Sequence, residues 1–491
     1  MKRKALSVFL FLLGAVLAAN ASENQPVNSI QLIAWLTAGV PNARLVRIVQ
    51  ERGIAVAPDK QQIRQLESAG ADPNLVRALT NSKPGAGSIS STPGAAAFDI
   101  PEVLMQAAVD ARGQHFHDAE VALRQALASD PQNAALHFAL GAMLRQQERW
   151  DDAYDEVMRS TELMPDFPEN HSSLAYIFYR LDDGPNAIAE ARTALSMDPQ
   201  NAEAYQFLAL GLYSNGQYAA AVHAFLEALA RDGNNSDTYY DLGITLHAAG
   251  NRTAAIDAYR HAIHIKPEFW QAHSNLALVL HEQNQLDEAI IEYREAKRIA
   301  PQEASVRNNL GNTFCDKGDF DAAILELREL YRQHPEWELG HTCLARAYMV
   351  KKDYSSAVNE LQLSVRQNPT SSADHRILGE ALLMDDKLEE GVRELRLAVA
   401  LNPDSDVAHQ ALGAALFQQQ QLPAAEKEFR EALRLNPSPD NHYSLAACLM
   451  TMNRYEEALA ELETAARLDP ERKLYRARRD ELLKLMNESK N

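Results

Sequence analysis

Three potential metal ligands recur at a constant spacing in the middle of the chain. His247, His281 and Cys315 follow one another at intervals of 34 residues, and both side-chain types bind zinc. If these residues lie on neighbouring packed helices, which are about 8–10 Å apart, the outer two are roughly 20 Å apart. Because zinc–ligand bonds are only about 2 Å long, one ion cannot join all three. The spacing leaves only a His247–His281 pair open, and otherwise indicates structural or peptide-contacting side chains.

The other reactive residue types form no catalytic pattern. The chain has three cysteines, Cys315, Cys343 and Cys448, and this small, odd number without a CxxC pair predicts neither a disulfide framework nor a Cys-rich metal site. Acidic pairs such as Asp287-Glu288 begin helical segments, where negative charge favours the helix dipole. The sequence contains no phosphate-binding loop, nucleophile elbow or HExxH motif. We therefore expect neither enzymatic activity nor a cofactor.

The composition is that of a folded, acidic and helical protein. Of 491 residues, 46% are hydrophobic and 23% are charged, and the formal net charge is −19. Abundant Ala and Leu favour helices, and the 21 Gly and 21 Pro are too few for a low-complexity chain. Because a strongly acidic surface repels phosphate backbones, we expect no binding of nucleic acid.

Residues 1–21 have the pattern of a secretory signal. Three basic residues at positions 2–4 precede an apolar segment, residues 5–19, which is shorter than a membrane-spanning helix. Small residues at positions 19 and 21 fit a cleavage site before Ser22; the alternative is a signal retained as an anchor. No later segment is long and apolar enough to span a bilayer. We therefore expect an exported chain, periplasmic or secreted, with no membrane span after signal removal.

Residues 28–80 are predicted to form a small, separate helical domain. Apolar residues recur there at helical spacing, and each segment ends at a Gly or Pro signal. The domain carries no chemical motif, which suggests a docking or capping role. Residues 81–98 are mostly Gly, Ser, Pro and Ala, as in a flexible linker. Residues 22–98 hold seven basic and five acidic residues, so the chain from Asp99 onward carries the excess negative charge. That part of the chain is expected to favour a basic or neutral partner.

A 34-residue repeat organises the rest of the chain. Ten positions from 131 to 437 follow one another at intervals of 34 residues. Nine of them hold proline, and the tenth is Gly233. Leu followed by Gly or Ala comes nine and ten residues after each of these helix-breaking residues, as in Leu310-Gly311, and a second small residue, as in Ala323, comes twelve residues later; the last unit is one residue short, with Leu445-Ala446. Small residues let two helices pack closely, and Pro ends the second helix. Because one pair cannot bury its apolar faces alone, neighbouring pairs must stack. The nine prolines are Pro131, Pro165, Pro199, Pro267, Pro301, Pro335, Pro369, Pro403 and Pro437.

This pattern resembles the tetratricopeptide repeat family over residues 99–472, which hold about eleven repeats. Residues 473–487 resemble a polar C-terminal capping helix. The resemblance implies an all-α fold, a right-handed superhelical α-solenoid of helix-turn-helix repeats. In this family the first helix of each pair lines a concave groove that binds other proteins, often as extended peptides. Function must nevertheless be argued from the site itself.

The register identifies the positions that would line this groove in repeats three to seven. Tyr and acidic positions suit basic or apolar side chains, because a cation can lie over an aromatic ring. Asparagine can donate to and accept from a peptide backbone, and Asn275 with Asn309 resembles the family's asparagine ladder. The family's clamp for C-terminal carboxylates needs Lys and Arg, and only Arg346 and Arg376 are basic at those positions, so such binding is not expected. The predicted groove residues are Glu169, Tyr176, Tyr179, Glu203, Tyr213, Asp237, Tyr240, Asn275, Asn308, Asn309 and Asn312.

The sequence thus predicts a non-enzymatic protein–protein interaction scaffold of the cell envelope. Its partners would be extended protein segments of basic or apolar character. One alternative is a subunit of an envelope machine for secretion, pilus or outer-membrane assembly, which differs from a free scaffold only in its partner. Another is an accessory subunit of a glycosyltransferase, since O-linked N-acetylglucosamine transferases carry such arrays before a catalytic domain. Because only about 20 residues follow the last repeat in this sequence, we do not expect that domain here.

Overall fold

The computed structural model describes residues 25–82 and 101–488, and most of their length is helical. The predicted signal, residues 1–21, and most of the predicted linker, residues 83–98, lie outside these ranges. The described residues form 27 helices, and their one β contact is an isolated bridge between Val27 and Ile54. The predicted all-α fold class is therefore confirmed. None of these helices is long and apolar enough to cross a membrane.

Four short helices form the N-terminal module, residues 25–82. They are α1 (Ser29–Thr37), α2 (Asn42–Arg52), α3 (Lys60–Ala69) and α4 (Pro73–Asn81). A capping box fixes the start of α1, where Asn28 and Gln31 each accept a hydrogen bond from the other's backbone N–H. Asp59 and Gln62 make the same arrangement at α3.

Eleven consecutive helix pairs follow the module, and we number them as repeats one to eleven. Their bounds are α5 (Glu102–Arg112) and α6 (Phe116–Ser129); α7 (Ala134–Gln146) and α8 (Trp150–Leu163); α9 (Pro168–Arg180) and α10 (Gly184–Met197); α11 (Ala202–Ser214) and α12 (Tyr218–Arg231); α13 (Ser236–Ala248) and α14 (Arg252–Ile265); α15 (Trp270–Glu282) and α16 (Leu286–Ile299); α17 (Ala304–Lys317) and α18 (Phe320–Gln333); α19 (His341–Val350) and α20 (Tyr354–Gln367); α21 (Ser372–Met384) and α22 (Leu388–Leu401); α23 (Asp406–Gln418) and α24 (Leu422–Leu435); α25 (Pro439–Thr451) and α26 (Tyr455–Leu468). A last helix, α27 (Lys473–Glu488), follows repeat eleven.

The turn inside every repeat contains one residue in the left-handed region. Glycine holds this position in repeats four, five and seven, for example Gly318 with φ 84°, because glycine adopts positive φ without steric cost. Asp, Asn, Gln, Glu or Lys holds it in the other eight repeats, for example Glu148 with φ 57°. The repeat therefore fixes the turn's backbone even where the residue type does not favour it.

Where glycine follows the recurring Leu, a side chain sixteen residues later fills the space that the glycine leaves. A Cβ added at Gly311 would lie 2.7 Å from the Leu327 side chain, and one at Gly243 would lie 2.5 Å from Tyr259. The sequence pattern predicted that Gly311 packs against Ala323; the nearest contact is instead Leu327, one helical turn further along α18. Ala323 is also fully buried.

The chain divides into two units, one ending at Pro267 and one beginning at Glu268. In the first unit, a single hydrophobic core combines the N-terminal module with repeats one to three. Trp35 and Leu45 of the module, Phe138 of α7 and Ile177 of α9 all belong to it. The module was predicted as a separate domain, whereas its helices pack in the same core as the first repeats.

Candidate partner-binding groove

An aromatic cavity of about 560 Å³ lies on the first helices of repeats two to five. Tyr176 and Tyr179 of α9 and Asp237 of α13, all predicted groove residues, line it together with Trp150 and Phe207. The Tyr176 ring lies 4.9 Å from that of Phe207 and 5.9 Å from that of Trp150, centroid to centroid. Such ring pairs hold one another in place and offer their faces as apolar contact area.

Two guanidinium groups already lie over these rings. Arg180 lies 4.3 Å from the centroid of Trp150, and Arg145 lies 5.2 Å from that of Tyr176. The Arg145 guanidinium is also 4.0 Å from the Glu203 carboxylate. These contacts are cation–π pairs between side chains of the chain itself.

Asp241, which the sequence analysis missed, lies in the same cavity. Burial raises the pKa of its carboxyl to about 7, and Asp237 adds to the rise, although the Gln206 amide donates a 3.3 Å hydrogen bond that opposes it. A signal for this residue was present in the sequence, because Asp241 stands 34 residues before Asn275 and thus at the same repeat position. The carboxylate is suited to a cationic or hydrogen-bond-donating ligand.

The remaining predicted tyrosines of this unit are half-buried against neighbouring rings. Tyr213 lies 5.6 Å from Tyr218, and Tyr240 lies 6.0 Å from Tyr259. Each phenol ring is therefore held in position and still partly exposed.

The N-terminal module packs against repeat three and contacts one of its predicted groove positions. The Trp35 ring stacks on that of Phe167 at 5.1 Å. Arg44 donates a 2.6 Å hydrogen bond to Glu169, and Arg47 forms a bidentate pair with Asp198, with both distances 3.2 Å. Glu169, a predicted groove residue, thus binds a basic side chain of the chain's own N-terminal module.

The asparagine positions lie in the second unit and differ in exposure. Asn275, Asn309 and Asn312 are half-buried, whereas Asn308 is only 5% exposed. Asn308 donates a 3.3 Å hydrogen bond to Asn309, and a Cβ added at Gly340 would lie 2.7 Å from the Asn308 Oδ1 atom. Asn309 and Asn312 therefore offer a partner more surface than Asn308 does.

One expectation about the cysteines is wrong. Cys315 and Cys343, on the first helices of repeats seven and eight, form a disulfide bond, while Cys448 is free and buried. The number of cysteines did not reveal this pair. The two residues are 28 positions apart in sequence, and the stacking of neighbouring repeats brings them together. Cys315 is thus engaged in a covalent bond, and His281 instead lies 3.0 Å from Asp316. Within residues 25–82 and 101–488, no group of three or more His, Cys, Asp or Glu is placed to hold a metal ion.

A ladder of histidine–glutamate pairs, also missed from the sequence, joins the two helices of seven repeats. In each pair the His Nδ1 atom lies 2.5–2.7 Å from a Glu nineteen residues later. The pairs are His137–Glu156, His171–Glu190, His273–Glu292, His341–Glu360, His375–Glu394, His409–Glu428 and His442–Glu461. In repeat seven, Arg307 and Glu326 take the same two positions. These pairs therefore link the first helix to the second within each of these repeats.

Stacked helix pairs whose first helices carry aromatic, acidic and amide side chains define an α-helical repeat scaffold for binding other proteins. The family model described as tetratricopeptide repeat matches residues 104–168, 172–237, 208–270, 240–304 and 411–473, which together make up more than half of the chain. The chain therefore belongs to the tetratricopeptide repeat family. No curated protein matches its sequence.

Solved structures with similar folds cover parts of the chain. A tetratricopeptide repeat protein from Parabacteroides merdae is 16% identical, with a TM-score of 0.40, and the match covers 51% of this chain and 98% of that one. The pilF protein of Pseudomonas aeruginosa is 19% identical, with a TM-score of 0.38, and covers 46% of this chain and 98% of its own. MamA from Desulfovibrio magneticus is 20% identical, with a TM-score of 0.33, and covers 34% of this chain and 95% of its own.

Proposed function

We propose that this protein is a non-enzymatic scaffold of the cell envelope that binds extended segments of other proteins on the first helices of its repeats. The observation that carries the proposal is the placement of the chain's own arginines. Arg180 lies over Trp150, and Arg44 is bound to Glu169. A surface that holds internal guanidinium groups by ring faces and carboxylates can hold those of a partner in the same way.

Each unit would contribute a different kind of contact. The tyrosine and acidic residues of repeats three to five, including Tyr213 and Asp237, suit basic or apolar side chains. In the second unit, Asn309 and Asn312 suit the peptide backbone, whatever its side chains. The excess of negative charge on the chain, formally −19, would attract basic partners and speed their association.

Partner binding by groove variants tests this function. A partner is first identified by affinity purification from the organism's own envelope fraction and mass spectrometry, and its binding segment is then titrated against the purified chain. We expect Tyr213→Ala/Tyr240→Ala to weaken binding at least tenfold, since aromatic anchors dominate most interfaces. Asn309→Ala/Asn312→Ala should weaken it less, and Tyr455→Ala, on a second helix of the other unit, should leave it unchanged. Wild-type affinity in both double variants would contradict the function.

Export across a membrane is part of the proposal. It is supported by the signal pattern of residues 1–21 and by the Cys315–Cys343 disulfide, because disulfides persist mainly in oxidising compartments. N-terminal sequencing of the protein from its native cells should give Ser22 as the first residue. A chain that still begins at Met1 and sediments with the membranes would contradict cleavage.

A further inference from the structure

The N-terminal module and repeats three to five enclose a second cavity, of about 920 Å³. Pro41, Ala43, Arg44 and Arg47 of the module form one wall, and Asp198, Glu203 and Arg231 are among the residues of the opposite wall. All of these residues belong to the first unit. The cavity is therefore built by two parts of the chain that are more than 100 residues apart in sequence.

A buried carboxylate in this cavity has a hydrogen-bond donor at only one of its two oxygen atoms. Glu169 is 4% exposed and lines the cavity. Its Oε1 atom accepts from Arg44 at 2.6 Å, whereas its Oε2 atom has no donor among the described residues. Leaving a buried charged oxygen without a donor costs free energy. An N–H group of a ligand in the cavity could supply that hydrogen bond.

Further carboxylates continue from this point toward the aromatic cavity. Glu203 lines the module's cavity, and 42% of its side chain is exposed. Gln206 lines both cavities, and Asp237 and Asp241 line the aromatic cavity. The two cavities are therefore adjacent, with acidic groups in each.

We propose that the N-terminal module is one wall of a composite binding cleft, in which α2 and repeats three to five hold a Lys or Arg side chain of an extended partner segment. The proposal rests on the proposed function and adds two features to it. The ligand's cation lies between α2 and Glu203, within reach of Glu169. The module thereby takes part in recognition, besides covering the apolar first repeats.

A peptide selection with site-specific cross-linking tests the cleft. The purified full chain is used to select binders from a random 12-residue peptide library displayed on phage, and the enriched peptide is synthesised. A photoreactive benzoylphenylalanine is placed at Ala43, which is exposed and lines the cavity, and, as the control, at Val56, which is an exposed module residue that does not line it. We expect a peptide with at least one Lys or Arg, and an adduct from position 43 but none from position 56.

Binding measurements with the same peptide separate this inference from the proposed function. Glu203→Gln in the protein, or citrulline or norleucine in place of the peptide's Arg or Lys, should weaken binding about tenfold, while the exposed-site control Glu463→Gln should not. The composite cleft is contradicted if position 43 gives no adduct, or if the neutral peptide binds as well as the charged one. If Tyr213→Ala/Tyr240→Ala still weakens binding in that case, the proposed function, binding on the first helices, is retained. If no peptide is enriched, or if the tyrosine variant also binds normally, both are overturned.

Discussion

Arg44 and Glu169 are 125 residues apart in sequence and joined by a 2.6 Å charged hydrogen bond. Arg44 is on the second helix of the N-terminal module, and Glu169 is at a groove position of repeat three. Asp198 lies 3.6 Å from the same guanidinium and also pairs with Arg47. The module is thus held on the repeats by apolar packing around Trp35 and by a small network of ion pairs at its edge.

Arg44→Ala should loosen the module. It leaves Glu169 buried without its charged partner, which costs about 3 kcal/mol in comparable buried pairs. Hydrogen exchange should show faster exchange in α1 and α2 and little change in the second unit. The control is Arg64→Ala, which removes an exposed arginine of the same module. Equal exchange in both variants would mean that the ion pair does not hold the module.

Asp241→Asn should stabilise the chain at neutral and alkaline pH. Because burial raises the Asp241 pKa to about 7 from its usual 3.8, the folded state binds this proton more tightly than the unfolded state. The carboxylate therefore costs stability as the pH rises from about 4 to about 7, and the cost is constant above that range. We expect a gain on the order of 2–4 kcal/mol at pH 8 and almost none at pH 4.

Denaturant titrations at several pH values measure this gain. Glu463→Gln is the control, because Glu463 is exposed and is not among the groups that shift the Asp241 pKa. A stability difference that does not vary with pH would show that Asp241 is ionised throughout.

His137→Gln should destabilise the chain mainly at acidic pH. The Glu156 carboxylate, at 2.6 Å from Nδ1, raises the pKa of His137 above its ordinary 6.5. The resulting stabilisation is fully present below about pH 6.5 and is lost as the pH rises through the raised value. We expect the variant to lose about 1 kcal/mol at pH 5.5 and much less at pH 8.5.

Glu156→Gln serves as a companion variant, since it removes the other partner of the pair. Thermal unfolding of both variants across this pH range should give the same trend. Equal losses at the two pH values would contradict a charged pair.

Reduction of the disulfide should destabilise repeats seven and eight. The Cys315–Cys343 bond closes a loop of 28 residues, which corresponds to about 3–4 kcal/mol in the chain-entropy model. Cys315→Ser/Cys343→Ser should lower the unfolding temperature. Adding reductant should lower the unfolding temperature of the wild-type protein but not that of this double variant. Cys448→Ser, which removes the free cysteine, should keep that effect. Alkylation of all three cysteines in the native, unreduced protein would contradict the bond.

The repeat architecture could be predicted because it depends on the regular spacing of residue types along the sequence. Pro and small residues at 34-residue intervals predicted helix pairs such as α17 and α18. The contact of Arg44 with Glu169 could not be predicted, because nothing in the local sequence links residues 125 positions apart. Asp241 could have been predicted as a groove residue, because it occupies the same repeat position as Asn275 and Asn309. The Cys315–Cys343 bond required knowing that two first helices stack, which a count of cysteines does not convey.

Site-specific photo-cross-linking in the native cells tests the central claim, that the first helices bind partner proteins, most directly. Benzoylphenylalanine is placed at Tyr213 on the first helix of repeat four, and at Leu226 on its second helix, where 53% of the side chain is exposed. The account predicts a discrete protein adduct from position 213 and none from position 226. Adducts from position 226 alone, or equally from both, would contradict it.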